Sequence, residues 1–205
     1  NSGMMEPVRI LTRPGSVVDC RFPSPVAGGN VETSQRVTDL IFAALADAGL
    51  PTIAQGQGTM NNITFGGRGW TFYETLGGGQ GASPHGDGPS AVHVGMSNTR
   101  NTPIEALERS YPIRITEYAV SRGSGGAGDH RGGDGVIRSY EGQEPCTVTL
   151  LTERRSRGPT GASGGHAGAT GRNLLNGAPI PAKCRLELKP GDVVTIETPG
   201  GGGWG

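Results

Sequence analysis

The sequence predicts an α+β fold: a mixed α/β N-terminal part with one main helix, then a β-rich C-terminal part resembling a sandwich or barrel. Three observations support this prediction. One run near residues 30–50 carries its apolar residues at helical spacing. From residue 111 onward, alternating apolar runs are separated by Gly and Pro turns. Glycine supplies 38 of the 205 residues and is concentrated in clusters.

The N-terminal part, residues 1–110, contains the main helix. Asn30 or Thr33 is expected to cap it, because short polar side chains satisfy the free N–H groups of a first turn. The apolar positions that follow helical spacing are Val37, Leu40, Ile41, Ala44 and Leu45. Gly49 and Pro51 then end the helix, since glycine closes a last turn and proline cannot continue it.

Shorter elements surround this helix. Alternating runs at 63–65 and 70–75, on either side of a glycine-rich loop at 66–69, predict a β-hairpin. Pro103 opens a short second helix, and Glu105 suits the positive end of its dipole. Further short strands are predicted at 8–11, 17–19 and 91–96.

The C-terminal part, residues 111–205, is predicted to be β throughout, with a boundary between the two parts near residue 110. The predicted strands are 113–120, 135–140, 146–152, 185–188 and 193–197. The alternation in 113–120 changes register within the strand. Five strands with turn residues between them are typical of a sandwich or barrel.

The glycine clusters lie at 77–79, 123–128, 132–133, 164–165 and 200–203. Glycine is retained where the backbone takes a positive φ or approaches another group closely, because its entropy cost on folding is high. We therefore expect ordered loops that hold a site or an interface, rather than core.

Composition excludes several classes of function. Lys plus Arg and Asp plus Glu are equal at 18 each, so charge favours neither nucleic acid nor an anionic membrane as partner. Three distant cysteines without a CxxC pair argue against a cysteine zinc site and favour a reducing, cytoplasmic location. No apolar run is long enough to span a bilayer.

Two glycine motifs match known patterns but lack the required context. The segment 123–128 fits GxGxxG, yet no helix is predicted after it to hold a pyrophosphate. The segment 161–165 fits the nucleophile elbow without a strand before it or a helix after it. No GxxxxGK[ST] sequence is present, so the chain is not itself a P-loop ATPase.

Three groups of polar residues have alternative interpretations. His85, Asp87 and His93 form part of a polar or metal site, or are surface and turn residues. The segment 97–103, which contains Asn98, Arg100 and Asn101, either caps the following helix or binds a carboxylate, amide or phosphate. A third group, Arg154, Arg155 and Arg157, is interpreted as a solvated or subunit-facing loop.

Six segments, taken in order, resemble the hydantoinase B/oxoprolinase family. They are 25–36 (PVAGGNVETSQR), 57–62 (QGTMNN), 73–79 (YETLGGG), 96–103 (MSNTRNTP), 131–135 (RGGDG) and 199–205 (PGGGGWG). The resemblance covers nearly the whole chain. It is specific for the family and does not select a substrate.

The resemblance implies part of an ATP-dependent complex. Members of the hydantoinase B/oxoprolinase family open cyclic amides such as 5-oxoproline and hydantoins, or carboxylate ketones such as acetone. An A-type subunit binds ATP and activates the substrate by phosphorylation. The B-type subunit completes the chemistry, often at a divalent metal held by His and Asp.

The chain departs from the family in length. B-type subunits are more than twice as long, and their metal ligands lie in the N-terminal half. The chain therefore resembles a C-terminal portion, no metal ligand is carried over, and we expect it to act within an oligomeric assembly rather than alone. An ATP-dependent carboxylase subunit and a non-catalytic scaffold that docks the A-type subunit are the alternatives.

Candidate site residues follow from the chemistry that the resemblance implies. Asn61, Asn98, Arg100 and Asn101 are the candidates for positioning substrate and stabilising an oxyanion, together with backbone N–H groups of 77–81. The candidates for binding substrate are Glu74, Gly78, Gly79, His85, Asp87 and His93.

Overall fold

The computed structural model describes residues 6–205 and confirms the α+β class. Residues 1–5 of the predicted N-terminal part lie outside the described residues. Helix α1 (Ser34–Asp47) continues from a π-helical stretch (Gly29–Thr33), and α2 is Ile104–Ser110. The strands are β1 (Asn62–Gly67), β2 (Trp70–Glu74), β3 (Ile113–Ser121), β4 (Gly135–Gly142), β5 (Cys146–Leu151), β6 (Arg172–Leu175), β7 (Ala178–Pro179), β8 (Lys183–Leu188) and β9 (Val193–Glu197).

The strands form two antiparallel sheets with the orders β2-β1-β5-β8 and β3-β4-β9-β6-β7. Neither sheet closes into a barrel within residues 6–205. The first sheet contains two strands from each side of residue 110. The predicted boundary between two parts of the chain near that residue stays a prediction. Neither described helix is long and apolar enough to cross a membrane.

One apolar core joins the two sheets. Phe65 of β1 and Tyr140 of β4 are both fully buried, and their ring centroids lie 5.4 Å apart. Leu107 of α2 belongs to the same cluster, as do Val194 and Ile196 of β9. The alternation along each strand places these side chains on one face, which explains why periodicity alone located most of the strands.

Several predicted elements are confirmed. The hairpin β1–β2 pairs Gly67 with Trp70 and turns through Arg68 and Gly69. The predicted register change in the first C-terminal strand is an irregularity of β3 between Ile115 and Glu117. Helix α1 ends as predicted: Gly49 has φ 81°, and the N–H of Leu50 donates to the Leu45 carbonyl at 3.0 Å, which closes a Schellman turn.

Three strand predictions and the helix cap are wrong. Residues 8–11, 17–19 and 91–96 form turns and irregular backbone, because their apolar side chains find no sheet to pack against; Leu11 and Val17 are both 77% exposed. Neither Asn30 nor Thr33 caps the main helix, since helical backbone already begins before them.

A hairpin was missed between β6 and β7. Asn176 and Gly177 form its two-residue turn, with φ 50° and 81°. This Asn-Gly pair is the sequence feature that indicates such a turn. The strands beside it are only 4 and 2 residues long, too short for an alternating pattern to be visible.

Helix α1 buries its polar side. Gln35 and Asp39 are its buried residues, whereas Leu40 and Ile41 are 61% and 55% exposed. The helical period is as predicted, but the apolar face does not lie in the described core. The helix is held instead by hydrogen bonds, including two between Gln35 and the backbone of Val94 and Met96.

Three of the five glycine clusters, at 77–79, 132–133 and 200–203, are buried, which corrects the expectation that these loops lie outside the core. The cluster at 123–128 is buried only in part, and 164–165 is not buried. Residues 200–203 are buried. The N–H of Gly201 donates to Gly133, that of Gly202 to Gln55 and that of Gly203 to His166, each at 2.8 Å. Loops from distant parts of the chain thus pack backbone against backbone around the last residues.

Candidate functional site

The polar segment 97–103 is anchored at its C-terminal end by a buried carboxylate. Glu74, the last residue of β2, accepts a hydrogen bond from the Thr102 N–H to Oε1 at 2.7 Å. Its Oε2 accepts the Tyr140 hydroxyl at 2.6 Å and lies 3.4 Å from Nε of Arg138. Glu74 was predicted to bind substrate, but in the structure both of its carboxylate oxygens accept hydrogen bonds from other residues of the protein.

Arg138 supports the same segment from inside the molecule. Its side chain is fully buried, and its Nη2 donates to the Thr102 carbonyl at 3.0 Å. The guanidinium carbon lies 4.4 Å from the Tyr118 ring centroid, a cation–π distance. The opposite charge of Glu74 and the aromatic faces together compensate a cation that is otherwise costly to bury.

Asn101 is also used to hold the segment. Its Nδ2 donates to the Thr75 carbonyl at 2.9 Å, and its Oδ1 accepts the Tyr118 hydroxyl at 3.0 Å. Asn98 and Arg100 are exposed and make no side-chain hydrogen bond within residues 6–205. The segment is therefore a fixed loop that presents one amide and one guanidinium to solvent.

His93 lies behind this loop. Its Nδ1 is 3.1 Å from the Ser97 hydroxyl, and its Nε2 is 3.2 Å from the Thr99 hydroxyl, which in turn is 2.9 Å from that of Thr75. Burial lowers the pKa of His93, so the imidazole is neutral at physiological pH. A neutral ring between two hydroxyls orders residues 97–99.

The other two members of the predicted His–Asp group have different partners. The His85 side chain is exposed, and the backbone N–H of His85 donates to the Ser83 hydroxyl at 3.2 Å. Asp87 accepts the Arg131 N–H at 2.7 Å and lies 3.7 Å from Nδ1 of His130. No group of three or more His, Cys, Asp or Glu side chains in residues 6–205 is arranged to hold a metal.

Asn61 lies fully buried beneath the start of β1, in a left-handed conformation with φ 47°. Its Nδ2 donates to Gln57 Oε1 at 2.6 Å, and its Oδ1 accepts Nη1 of Arg155 at 2.7 Å. Arg155 also binds Asn173 Oδ1 at 2.7 Å. These contacts place Asn61 inside the protein, where its amide orders the loop before β1.

Two of the three arginines were wrongly assigned to a solvated or subunit-facing loop. Arg154 is 8% exposed, and its Nη2 donates to Asp39 of α1 at 2.5 Å. Arg155 is held in the Asn61 cluster, and burial lowers its pKa to about 10. Arg157 is exposed, as expected. The two buried guanidiniums bind groups distant in sequence, so a local pattern does not reveal them.

The N–H groups of the 77–81 loop are largely occupied. Those of Gly78, Gly79 and Gln80 donate to carbonyls of Val92, Pro199 and Pro89 at 2.9, 3.0 and 3.0 Å. A Cβ on Gly79 would overlap the carbonyl oxygen of Gly133. Gly78 and Gly79 therefore serve close backbone packing in this structure.

Sequence reasoning missed a second polar cluster, centred on Glu32. This residue is 5% exposed, and its Oε1 accepts hydrogen bonds from Thr59 Oγ1, the Met60 N–H and Asn62 Nδ2 at 3.3, 3.2 and 3.1 Å. Asn62 Oδ1 accepts the Tyr73 hydroxyl at 2.6 Å. Burial raises the pKa of Glu32 to about 7. An acidic residue near a helix start ordinarily compensates the helix dipole, so its position in the sequence does not indicate a buried carboxylate.

Comparisons with known proteins agree over the whole chain. The family model described as hydantoinase B/oxoprolinase matches residues 1–205. A 5-oxoprolinase of Dictyostelium discoideum is 42% identical over 210 aligned positions, which cover 100% of this chain and 16% of that protein. The chain thus spans about a sixth of that relative's length.

Two solved structures have a similar fold. An ATP-dependent caprolactamase from Pseudomonas jessenii superposes with a TM-score of 0.65 and 24% identity, over 80% of this chain and 32% of that one. The nucleotide-free structure of acetone carboxylase gives a TM-score of 0.59 and 19% identity, over 75% and 26% of the two chains. At these identities the similarity is one of fold.

Proposed function

We propose that this chain, which belongs to the hydantoinase B/oxoprolinase family, is part of an ATP-dependent hydrolase that opens a lactam or hydantoin ring together with an A-type, ATP-binding partner. The observation that carries the proposal is the match of the entire chain at 42% identity to a protein named 5-oxoprolinase. The acetone carboxylase similarity is one of fold at 19% identity and does not favour carboxylation.

Ring opening requires an activated amide, because an amide carbonyl is a poor electrophile. ATP bound by the A-type partner would supply the phosphoryl group that activates the amide oxygen. This chain's contribution in the proposal is to position the ring and to stabilise negative charge on oxygen. Arg100 and Asn98 suit that task, since both side chains are exposed on a loop whose backbone is fixed by Glu74, Arg138 and Asn101.

A divalent metal, which the family resemblance implies for the complex, does not fit the described residues. His93 is bound to two hydroxyls, Asp87 accepts the Arg131 N–H, and no group of three or more His, Cys, Asp or Glu side chains in residues 6–205 could hold a metal. We therefore assign no catalytic step of this chain to a metal. The free thiols of Cys20, Cys146 and Cys184 support a reducing, cytoplasmic location as part of the proposal.

The test uses the full-length protein co-purified with its A-type partner. Ring opening and ATP hydrolysis are followed with a panel of lactams and hydantoins, and with acetone plus bicarbonate. ATP-dependent ring opening that requires both proteins supports the proposal. Carboxylation of the ketone without ring opening would replace it with the carboxylase alternative. If the two proteins assemble but the A-type partner catalyses the reaction equally well alone, the scaffold alternative is supported instead.

A further inference from the structure

A separate cavity lies between the π-helical stretch that precedes α1 and the outer face of the first sheet. Its volume is about 330 Å3, which suits a small ligand. Val31 of the π-helical stretch and Leu151 of β5 form apolar parts of its wall. Asn62, Thr64, Tyr73 and Thr149 supply the polar part. None of these six residues belongs to the site predicted from the sequence.

The sheet register explains why these polar side chains meet. Thr64 of β1 pairs with Tyr73 of β2 on one side and with Thr149 of β5 on the other. Residues in direct register project to the same face, and Asn62 is two positions from Thr64 on that face. The opposite face of these strands carries Ile63 and Phe65 into the core.

The cavity offers hydrogen bonding without charge. The hydroxyls of Thr64 and Thr149 make no hydrogen bond within residues 6–205, and no charged side chain lines the wall. Asn62 and Tyr73 bond to each other, leaving one amide hydrogen and further acceptor lone pairs available. A neutral ligand with apolar carbon and both a donor and an acceptor matches this wall, and a cyclic amide has that composition.

Glu32 orients the polar wall from behind. Because its Oε1 accepts from Asn62 Nδ2, the oxygen of that amide is directed to the Tyr73 hydroxyl. Oε2 of Glu32 is buried and has no hydrogen-bond partner among residues 6–205. Glu32 is thus a positioning residue, connected to the cavity through Asn62.

The cavity is also next to the candidate loop. Thr75 follows Tyr73 by two positions, directly after the end of β2, so their Cα atoms are at most about 7 Å apart. The Thr75 hydroxyl is 2.9 Å from that of Thr99, which lies between Asn98 and Arg100 in the chain. A ring held in the cavity would therefore lie near the segment proposed to act on its amide.

We propose that this cavity binds the ring of a small uncharged cyclic amide, and that Val31 and Leu151 determine which ring size it accepts. This inference rests on the proposed function for its substrate class. Asn62 and Tyr73 hydrogen-bond the amide, while the two apolar side chains contact the methylene groups.

The test varies cavity size and ring size together in the full-length complex. Val31→Phe fills the cavity, and Leu151→Ala enlarges it. The probes are 2-pyrrolidinone, 2-piperidinone and caprolactam, which add one methylene at each step. We expect Val31→Phe to lower kcat/KM for caprolactam relative to 2-pyrrolidinone by at least about tenfold, and Leu151→Ala to shift the ratio the other way. Val120→Phe on β3 is the matched control.

Equilibrium binding separates this inference from the proposed function. Calorimetric titration of each lactam without ATP reports occupancy whether or not the ring is opened. Binding that Val31→Phe weakens and Val120→Phe does not, at unchanged melting temperature, supports the cavity. Ring opening with an unaltered ring-size ratio overturns the cavity and leaves the proposed function intact. Absence of lactam binding to the wild-type complex overturns the cavity as well.

Discussion

Two buried side chains, Arg138 and Glu74, hold several elements of this protein together. Arg138 lies between Tyr118, Glu74 and the Thr102 carbonyl, and each contact restrains a different element. Its Nε and Nη1 are buried and have no hydrogen-bond partner in the part of the chain that the structure describes. Glu74 accepts from both an N–H and a hydroxyl, so that neither of its oxygens is free for substrate.

The exposed pair on the 97–103 loop gives the first prediction. If the proposed site is correct, Asn98→Ala or Arg100→Ala in the full-length complex lowers turnover at least about tenfold, because each removes a donor that the proposal assigns to the substrate. Assembly with the A-type partner is unaffected, since neither side chain has a structural partner in residues 6–205. Steady-state kinetics beside size-exclusion chromatography measure both. Unchanged turnover in both variants would remove the loop from the proposed site.

Glu32 gives a pH-dependent prediction. Burial raises its pKa from 4.5 to about 7, so the folded chain keeps a proton that the unfolded chain has released. The contribution of this group to the free energy of unfolding is therefore fully present below pH 4.5 and falls by about 3 kcal/mol as pH rises to about 7. Glu32→Gln does not titrate and flattens the profile in this window.

Denaturant unfolding at about pH 5 and about pH 8 measures this difference. Glu105→Gln is the control, because that carboxylate is exposed on α2 and makes no side-chain hydrogen bond within residues 6–205. The same pH dependence in Glu32→Gln as in the wild type would show that Glu32 titrates normally in the folded chain.

At the scale of elements, α1 shows that amphipathic spacing does not decide which side of a helix is buried. Its docked side contacts the rest of the chain through Gln35 and Asp39, and its apolar positions Leu40 and Ile41 are mostly exposed. The helix is therefore attached by directional polar contacts, which depend on partners far away in sequence.

The ion pair between α1 and the loop after β5 gives the third prediction. Asp39→Ala leaves the Arg154 guanidinium buried without its counter-charge, at a cost of about 3–5 kcal/mol in the free energy of unfolding. Ile41→Gln, on the exposed side of the same helix, changes it by less than about 0.5 kcal/mol. Denaturant unfolding compares the two. The double variant Asp39→Leu with Arg154→Met recovers part of the loss, because both buried charges are then absent.

At the scale of the whole molecule, glycine loops form part of the interior. The segment 200–203 lies between loops that contain residues 55, 133 and 166 and forms a backbone hydrogen bond with each of them. In packing of this kind the backbone segments lie so close together that a Cβ atom would overlap the neighbouring backbone, so these positions require glycine. It explains how a chain with 33% hydrophobic residues forms an ordered interior.

The fourth prediction tests this packing. Gly201→Ala places a Cβ onto the carbonyl of Gln80. The Gln80 backbone is held in place by hydrogen bonds to Pro89 and Gly133, so it cannot easily move away. Gly86→Ala has nothing within 4 Å of the added carbon and serves as the matched control. We expect Gly201→Ala to yield little folded full-length protein and Gly86→Ala to express and melt normally. Thermal unfolding of an equally stable Gly201→Ala protein would contradict the close approach.

The sequence by itself determined the family, the α+β class, the β1–β2 hairpin and five of the strands that form the sheets. These features depend on short-range periodicity and on local backbone preferences that do not require tertiary contacts. An example is Gly49, which ends a helix because glycine adopts a positive φ. The Asn-Gly pair at 176–177 is also a local turn signal, and it correctly indicates the β6–β7 hairpin that was not predicted.

Only the tertiary structure decided which polar residues are buried. Asp39 meets Arg154 across 115 residues, Glu32 meets Asn62 across 30, and Arg138 meets Thr102 across 36. Whether a charge is solvated or enclosed depends on such distant partners, and no local pattern encodes them. For the same reason the cavity beside Tyr73 exists only in the folded chain, where three strands and the π-helical stretch before α1 come together.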